Sequence, residues 1–253
     1  MSDAPKLEAR AVGKNFGSLH AVSGVSMKVA PGELRAIIGP NGAGKTTFFN
    51  LITGFFPPSA GEILLDGKNI NRVAAAERVK MGMGRTFQIT EIFPELTVWE
   101  NARIAVETGI GFSLRAWLSA AEKRRVADAV DEVLTMANLT DQSDRLVGEL
   151  SHGDQRAAEI SMALALKPSL LLLDEPTAGM GDQETYEITQ LIRKLHRDQK
   201  LTIVLIEHDM RVVFHLADRI MVLAEGKMLA EGTPQEIAAD EAVQAAYLGK
   251  AAA

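Results

Sequence analysis

The segment 39–47 constrains the fold of this chain more than any other. It reads Gly-Pro-Asn-Gly-Ala-Gly-Lys-Thr-Thr and fits G-x-x-x-x-G-K-[ST], the pattern of a phosphate-binding loop. Its glycines let backbone N–H groups approach a phosphate chain closely, because no Cβ stands in the way. Residues 34–38 predict a short buried strand before the loop, and residues 46–52 predict a helix after it. That order places bound phosphates at a helix N-terminus and argues against a glycine loop that only turns the chain.

Two side chains of the loop have predicted roles of their own. The Lys45 ammonium is expected to contact the β- and γ-phosphates of a nucleotide, and the Thr46 hydroxyl to bind Mg²⁺. The other contacts are expected from the loop backbone. The predicted nucleotide-binding residues of this loop are Gly39, Pro40, Asn41, Gly42, Ala43, Gly44, Lys45, Thr46 and Thr47.

The composition is that of a soluble globular protein, and it limits the possible partners. The 253 residues are 47% hydrophobic and 24% charged, enough for one large domain or a core with an inserted subdomain. A net charge of −6 leaves no basic surplus to displace counterions, which argues against a nucleic-acid binder. The run Lys123-Arg124-Arg125 is more typical of a solvated helix face. The absence of cysteine excludes disulfides and thiolate metal sites, which suits the cytoplasm.

No segment has the pattern of a targeting or membrane-spanning sequence. The N-terminus lacks an apolar signal region, and the longest apolar stretch, around residues 162–173, is interrupted by Lys167 and Pro168. We therefore expect any membrane role to depend on a partner.

Strand and helix patterns divide the chain into parts. Residues up to 88 are rich in strand patterns, and Asp66-Gly67 marks a hairpin. Two capping boxes, Thr97-x-x-Glu100 and Ser119-x-x-Glu122, then open helical runs. Alternating strands and helices return afterwards, which predicts an α/β fold. The predicted single domain has a core with a β subdomain at 1–88 and 167–232, a helical subdomain at 89–166 and a helical tail at 233–253.

Two acidic residues follow a wholly apolar strand pattern, Leu170 to Leu173. Ligand chemistry in an open parallel sheet sits at the carboxyl ends of the strands, so Asp174 and Glu175 are expected beside the phosphate loop. Asp174 is predicted to hold Mg²⁺ through its water shell, and Glu175 to orient or deprotonate an attacking water. The alternative is a carboxylate that caps a helix.

Two more polar residues fall at the ends of strand patterns. His208 follows the pattern 201–206, where a neutral imidazole can bond a γ-phosphate and the attacking water; the alternative is a structural histidine. Gln88 follows Arg85-Thr86-Phe87 and opens the helical segment. Its amide can contact Mg²⁺ or water while its backbone moves with that segment.

A second anion site is predicted at the start of another helix. In Leu150-Ser151-His152-Gly153-Asp154, Ser151 is the expected N-cap and unpaired N–H groups follow it. The order of phosphate loop, Gln88, this segment, Leu170 to Glu175 and His208 resembles that of the ATP-binding cassette (ABC) ATPases. The resemblance covers nearly the whole chain, and its motifs are specific in combination.

The resemblance implies a fold, a reaction and a dimer. ABC ATPases have a RecA-like P-loop core with an antiparallel β subdomain and an inserted α-helical subdomain, and they hydrolyse ATP with Mg²⁺. It implies that Ser151, His152, Gly153 and Asp154 close on ATP held by a second ABC ATPase subunit, identical or different. It also implies that Phe16 stacks on adenine, although an aromatic residue there suits packing at a sheet edge as well.

A narrower resemblance concerns the transported substrate. Arg85 to Gln88, the segment 93–101 and the C-terminal segment 245–249 are similar to ATPases of branched-chain and other hydrophobic amino-acid uptake systems. The segments 150–153 and 178–180 also resemble urea and short-amide importers. In such systems other subunits read the substrate. The implied partners are integral membrane permease subunits and, indirectly, a substrate-binding protein, with this chain in the cytoplasm on the inner face of the membrane.

Two positions depart from the usual ABC pattern. Asp154 stands where glutamine or glutamate is usual. Our hypothesis is that it bonds the Ser151 N–H in a capping box worth about 1 kcal/mol, with Arg156 offsetting its charge. Gly181 stands where Asp or Asn usually bonds across the dimer, so that contact must come from the backbone or from Asp182.

The predicted function is the ATP-hydrolysing motor of an importer, in which ATP joins two cassettes and hydrolysis lets them part. The apolar segment 89–96, directly after Gln88, is the predicted docking surface for the membrane partner; packing inside the helical segment is the alternative. A soluble ABC ATPase for assembly or repair is a second possible function, which a membrane partner would exclude. A P-loop kinase is a third, which phosphate release without an acceptor would exclude.

Overall fold

The computed structural model describes residues 4–86, 92–111 and 118–248 of the chain, without the side chain of Leu248. The strands are β1 (Leu7–Phe16), β2 (Leu19–Val29), β3 (Leu34–Ile38), β4 (Ala60–Leu65), β5 (Lys68–Asn69), β6 (Met83–Arg85), β7 (Leu170–Asp174), β8 (Thr202–Ile206), β9 (Arg219–Ala224) and β10 (Lys227–Gly232). The helices are α1 (Lys45–Thr53), α2 (Ala75–Lys80), α3 (Val98–Ile110), α4 (Ala120–Met136), α5 (His152–Ala165), α6 (Asp182–Asp198), α7 (Met210–Leu216), α8 (Pro234–Ala239) and α9 (Glu241–Leu248). No helix in these ranges combines the length and apolar character needed to cross a bilayer.

A largely parallel sheet of six strands forms the centre of the molecule. Its order is β10-β9-β3-β8-β7-β6, and only the edge strand β10 runs antiparallel to its neighbour. The four leucines 170–173 show why β7 is wholly apolar: Leu170 and Leu172 face one core cluster, while Leu171 and Leu173 face another. A strand buried on both faces needs apolar side chains on both.

An antiparallel sheet of four strands, in the order β2-β1-β4-β5, packs with α1 on one face of the central sheet. Helices α3, α4, α5 and α6 cover the opposite face. The central sheet therefore separates a β-rich layer from a helical layer, and the carboxyl ends of its strands meet along one edge.

Most predicted elements are present at the predicted places. The strand 34–38 is β3, and the helix after the phosphate loop is α1. The capping boxes of α3 and α4 are confirmed, since Thr97 and Ser119 each accept the N–H of the glutamate three residues later and that glutamate returns the bond. Gln88 and residues 89–91 lie outside the described residues.

Candidate nucleotide-binding site

The phosphate loop joins β3 to α1 and leaves the N-terminus of α1 open to an anion. In the part of the chain that the structure describes, no side chain caps this helix, and its first turn holds no acidic residue. The Lys45 ammonium is held inside the loop by the carbonyl oxygens of Gly39, at 2.7 Å, and Pro40, at 3.2 Å. Uncapped N–H groups, the helix dipole and a lysine therefore combine to favour phosphate binding here.

A cavity of about 650 Å³ lies against this loop. Its walls include loop residues 41–47 together with Glu175 and His208, so the structure brings these predicted residues together. The sequence analysis did not predict the other lining residues, which come from the start of β2 and the β9–β10 turn: Leu19, His20, Ala21, Glu225 and Gly226.

Glu175 and His208 meet at the carboxyl ends of two paired strands. Asp174 of β7 lies opposite Ile206 of β8, and the Glu175 N–H donates to the Ile206 carbonyl at 2.9 Å. The Glu175 Oε1 lies 2.5 Å from the His208 Nε2. A carboxylate in contact with an imidazole, both facing a phosphate-binding loop, is an arrangement suited to activating water for attack on a phosphate.

Glu207 holds this pair in place, and sequence reasoning missed it. It is only 3% exposed, and its carboxylate accepts the Thr177 N–H at 3.0 Å, bonds the Thr177 hydroxyl, and accepts the His208 N–H at 2.8 Å. Glu207 thereby connects Thr177, two residues after Glu175, with His208, which contacts Glu175. The available signal was a charged residue at the end of an otherwise apolar strand.

Asp174, the last residue of β7, adjoins Glu175 in the chain but is not among the residues that line the cavity. It is 1% exposed, and neither carboxylate oxygen has a hydrogen-bond partner among the described residues. Burial raises the pKa of the Asp174 carboxyl, and the Glu175 charge acts in the same direction, whereas Arg85 and Arg156 act against it. A buried carboxylate with unpaired oxygens fits a cation, so the residues present are compatible with Mg²⁺.

The helix α5 begins as predicted, but Asp154 does not behave as the hypothesis required. Ser151 is the N-cap, and its Oγ accepts the Asp154 N–H at 3.1 Å. The Asp154 carboxylate returns no bond to Ser151 among the described contacts, because aspartate is one methylene shorter than the glutamate of a capping box. The expected pairing of Asp154 with Arg156 is also wrong. Arg156 is buried and bonds Glu159 and the Asp174 carbonyl, the latter at 2.7 Å.

One N–H at the start of α5 that was predicted to be unpaired, that of Gly153, bonds a glutamate of another helix. Glu184 of α6 accepts the Gly153 N–H at 3.1 Å with one oxygen and the Gly181 N–H at 3.3 Å with the other. No local pattern in the sequence predicts this long-range contact. Asp182 instead lies exposed, with Arg211 at 3.3 Å.

Two predicted site segments lie apart from the walls of the cavity. The segment 151–154 does not line it. Phe16 does not line it either; its ring meets that of Phe56 edge to face at 5.4 Å, and the Lys14 ammonium lies 5.3 Å from the Phe16 ring.

The C-terminal helix α9 ends close to the phosphate loop. Tyr247 packs against the small apolar cluster that contains Ile38, the last residue before the loop. Burial raises the pKa of the Tyr247 hydroxyl to about 12, and a bond from the Gly39 backbone opposes that shift. The tail is therefore part of the structure that supports the loop.

Comparison with known proteins agrees with this geometry. The family model described as ABC transporter matches residues 22–178, and the model described as branched-chain amino acid ATP-binding cassette transporter matches residues 227–253. The high-affinity branched-chain amino acid transport ATP-binding protein BraF of Pseudomonas aeruginosa is 40% identical over 252 residues, which cover 98% of this chain and 99% of BraF.

Solved structures give the same result. The ADP conformation of MJ1267, an ATP-binding cassette of an ABC transporter, superposes with a TM-score of 0.85 at 31% identity over 97% of this chain and 99% of that one. The ATP-binding cassette MJ0796, a dimer in a post-hydrolysis state with ADP and Pi, superposes with a TM-score of 0.74 at 29% identity over 90% of this chain and 98% of that one. This chain is therefore an ATP-binding and ATP-hydrolysing cassette of the ABC transporter family.

Proposed function

We propose that this cassette drives an importer of branched-chain or other hydrophobic amino acids. The observation that carries the ATP-hydrolysing part of the proposal is the Glu175–His208 pair, which faces the phosphate loop across one cavity. Two similarities support the choice of substrate: residues 227–253 match the branched-chain amino-acid cassette model, and BraF is a branched-chain amino acid transport ATP-binding protein.

In this proposal the phosphate loop binds ATP, and Lys45 contacts the β- and γ-phosphates. Glu175 accepts the proton of the attacking water. His208, whose Nε2 lies against Glu175 without nucleotide, exchanges that contact for the γ-phosphate and the attacking water when ATP binds. Phe16 stacks on the adenine, and Asp174, Thr46 and Gln88 would hold Mg²⁺. Bound Mg²⁺ would neutralise charge that develops on the phosphate oxygens.

The proposal also requires a second cassette. The segment 151–154 begins a helix whose N-terminus suits an anion, yet it does not line this chain's own cavity. We infer that it closes on ATP bound by the partner cassette, identical or different. Attraction between the triphosphate and both helix N-termini would then join the cassettes, and hydrolysis would weaken it.

Asp174→Asn tests the assignment of the cation. The variant is expected to fold at least as stably as the wild type without nucleotide, because it removes a buried charge that has no hydrogen-bond partner among the described residues. In the wild type, ATP with Mg²⁺ should raise the melting temperature more than ATP with EDTA, and the variant should lose that difference. Asp182→Asn, at an exposed aspartate, is the control. A Mg²⁺ effect that persists in Asp174→Asn would contradict the assignment.

We place the chain in the cytoplasm on the inner face of the membrane, bound to permease subunits and indirectly served by a substrate-binding protein. The helical subdomain 89–166 would carry the docking surface, and the tail 233–253 would support the core.

Within segment 89–96, Phe93 is 48% exposed although its backbone is fixed. Asn101, fully buried, accepts the Phe93 N–H at 2.8 Å and donates to the Phe93 carbonyl at 3.0 Å. An exposed aromatic on a rigid backbone suits a contact with another protein.

Phe93→Asp should uncouple transport from hydrolysis. Placing a charge in an apolar contact is expected to lower ATP-driven uptake in vesicles at least tenfold, whereas basal ATP hydrolysis by the purified cassette should stay within about twofold. Phe55→Asp, at a phenylalanine that is 73% exposed just after α1, is the matched control. Uptake equal to that of the wild type would refute docking at Phe93.

The function as a whole can be tested on the assembled transporter. Affinity purification of the chain from membranes should recover a multi-span permease, and the complex in vesicles should take up leucine, isoleucine or valine only with ATP. Recovery of the cassette without any membrane protein would favour the soluble assembly or repair function instead.

A further inference from the structure

Glu184 belongs to neither the phosphate loop nor the catalytic pair, yet its carboxylate joins the starts of two helices. Its two oxygens accept the N–H groups of Gly153 in α5 and Gly181 before α6, at 3.1 and 3.3 Å. The Ser151 side chain is also a hydrogen-bond neighbour of this carboxylate. The bond to Gly153 spans 31 residues of sequence and the bond to Gly181 only three, so Glu184 ties the start of α5 to the start of its own helix.

The Glu184 side chain lies close against Gly153. A Cβ on Gly153 would lie 3.2 Å from the Glu184 Cβ and 3.3 Å from its Cγ, so the side chain packs directly against the Gly153 backbone. Gly181 is the N-cap of α6 and has no side chain that could accept an N–H of the first turn, and Glu184 instead accepts the N–H of Gly181 itself.

The carboxylate is held in its charged form. The Gly153 N–H bond first, and the Gly181 N–H bond second, lower the pKa of the Glu184 carboxyl below its usual range. At neutral pH an anion therefore sits at the N-terminus of α5, the position that suits an anion from outside the chain.

We propose that Glu184 is a positioning residue that occupies the Gly153 N–H in the open cassette and must release it when the partner's triphosphate arrives. The inference rests on the proposed function, because it takes the segment 151–154 as the contact to the partner's ATP. One N–H cannot donate a strong bond to two anions, and two anions at one helix end repel each other. Glu184 thus raises the ATP concentration at which two cassettes close.

The same carboxylate connects closure of the two cassettes to the segment that contains Glu175. The segment 175–181 runs from Glu175 to the N-cap of α6, and Glu184 holds its end through the Gly181 N–H. When the carboxylate leaves Gly153, its bond to Gly181 remains available. Release of the Gly153 N–H therefore changes how tightly segment 175–181, which begins at Glu175, is held.

The test measures closure directly, in full-length chains that carry Glu175→Gln to stop hydrolysis. The ATP concentration for half-maximal dimer formation is measured by analytical ultracentrifugation for Glu175→Gln alone, with Glu184→Gln and with Glu187→Gln. A neutral amide competes less well for the Gly153 N–H than a carboxylate, and hydrogen bonds to charged groups are stronger by about 1 kcal/mol, so Glu184→Gln should lower that concentration about fivefold. Glu187 lies on the same helix and bonds Gln183 at 2.6 Å, and its variant should change nothing.

The outcomes separate the two proposals. If Glu175→Gln forms no ATP-dependent dimer, the proposed function itself fails. If it does, and Glu184→Gln needs the same ATP concentration or more, the inference about Glu184 is overturned. If Glu184 only stabilises the fold, Glu184→Gln should need the same ATP concentration or more and should also have a lower melting temperature. The melting temperature is measured on the same samples.

Discussion

Glu175→Gln is expected to lower ATP turnover about 100- to 10,000-fold, the usual effect of removing a general base. The amide keeps the shape of the side chain and can still meet the His208 ring, but it cannot accept a proton from water. ATP affinity should change little, because in the proposed site the loop, and not Glu175, binds the phosphates. The variant should therefore accumulate as an ATP-bound dimer, visible by size-exclusion chromatography, while phosphate release almost stops.

A second carboxylate in the same cavity provides the control for this prediction. Glu225 lines the cavity from the β9–β10 turn, so Glu225→Gln removes the same charge from the same space. It should keep at least half of the turnover, because the effect at Glu175 comes from proton acceptance and not from local charge. Turnover near the wild-type level in Glu175→Gln would remove Glu175 from the catalytic role.

The meeting of Glu175 and His208 was predictable, because it follows from the topology of the sheet alone. Parallel strands end at one side of a sheet, so residues that follow two apolar strand patterns, Glu175 and His208, meet without any knowledge of side-chain packing. The capping boxes were predictable for a similar reason: Thr97 and Ser119 act on residues three positions away.

The supporting contacts could not be predicted in that way. Glu207 reaches Thr177, and Glu184 reaches Gly153, each across about thirty residues of sequence. Nothing local in the sequence distinguishes such a glutamate from one on a solvated face. The hypothesis for Asp154 failed on side-chain length, since a motif that works with glutamate does not transfer to a shorter acid.

Among single glycine-to-alanine changes in the loop, Gly39→Ala should lower the free energy of unfolding the most. Gly39 has φ 151°, and a Cβ there would lie 2.1 Å from the Leu223 carbonyl oxygen of β9 and 3.1 Å from the Ala43 Cβ. The nearest atom is strand backbone and cannot rotate away, so either β9 or the loop must move. We expect the free energy of unfolding to fall by about 3 kcal/mol, the upper end of the usual range for overpacking. Urea denaturation measures this loss.

ATP binding should fall with stability in Gly39→Ala, because a displaced loop no longer holds the Lys45 ammonium between its own carbonyls. Gly42→Ala separates the cost of the backbone conformation from the cost of a steric clash. Gly42 has φ 80°, and a Cβ there would meet no atom of the described residues within 4 Å, so only the backbone conformation is penalised, by about 1 kcal/mol. Titration with a fluorescent ATP analogue should therefore show at least tenfold weaker binding for Gly39→Ala than for Gly42→Ala. Equal losses in the two variants would mean that the loop yields freely, and that its close approach to β9 does not fix the phosphate site.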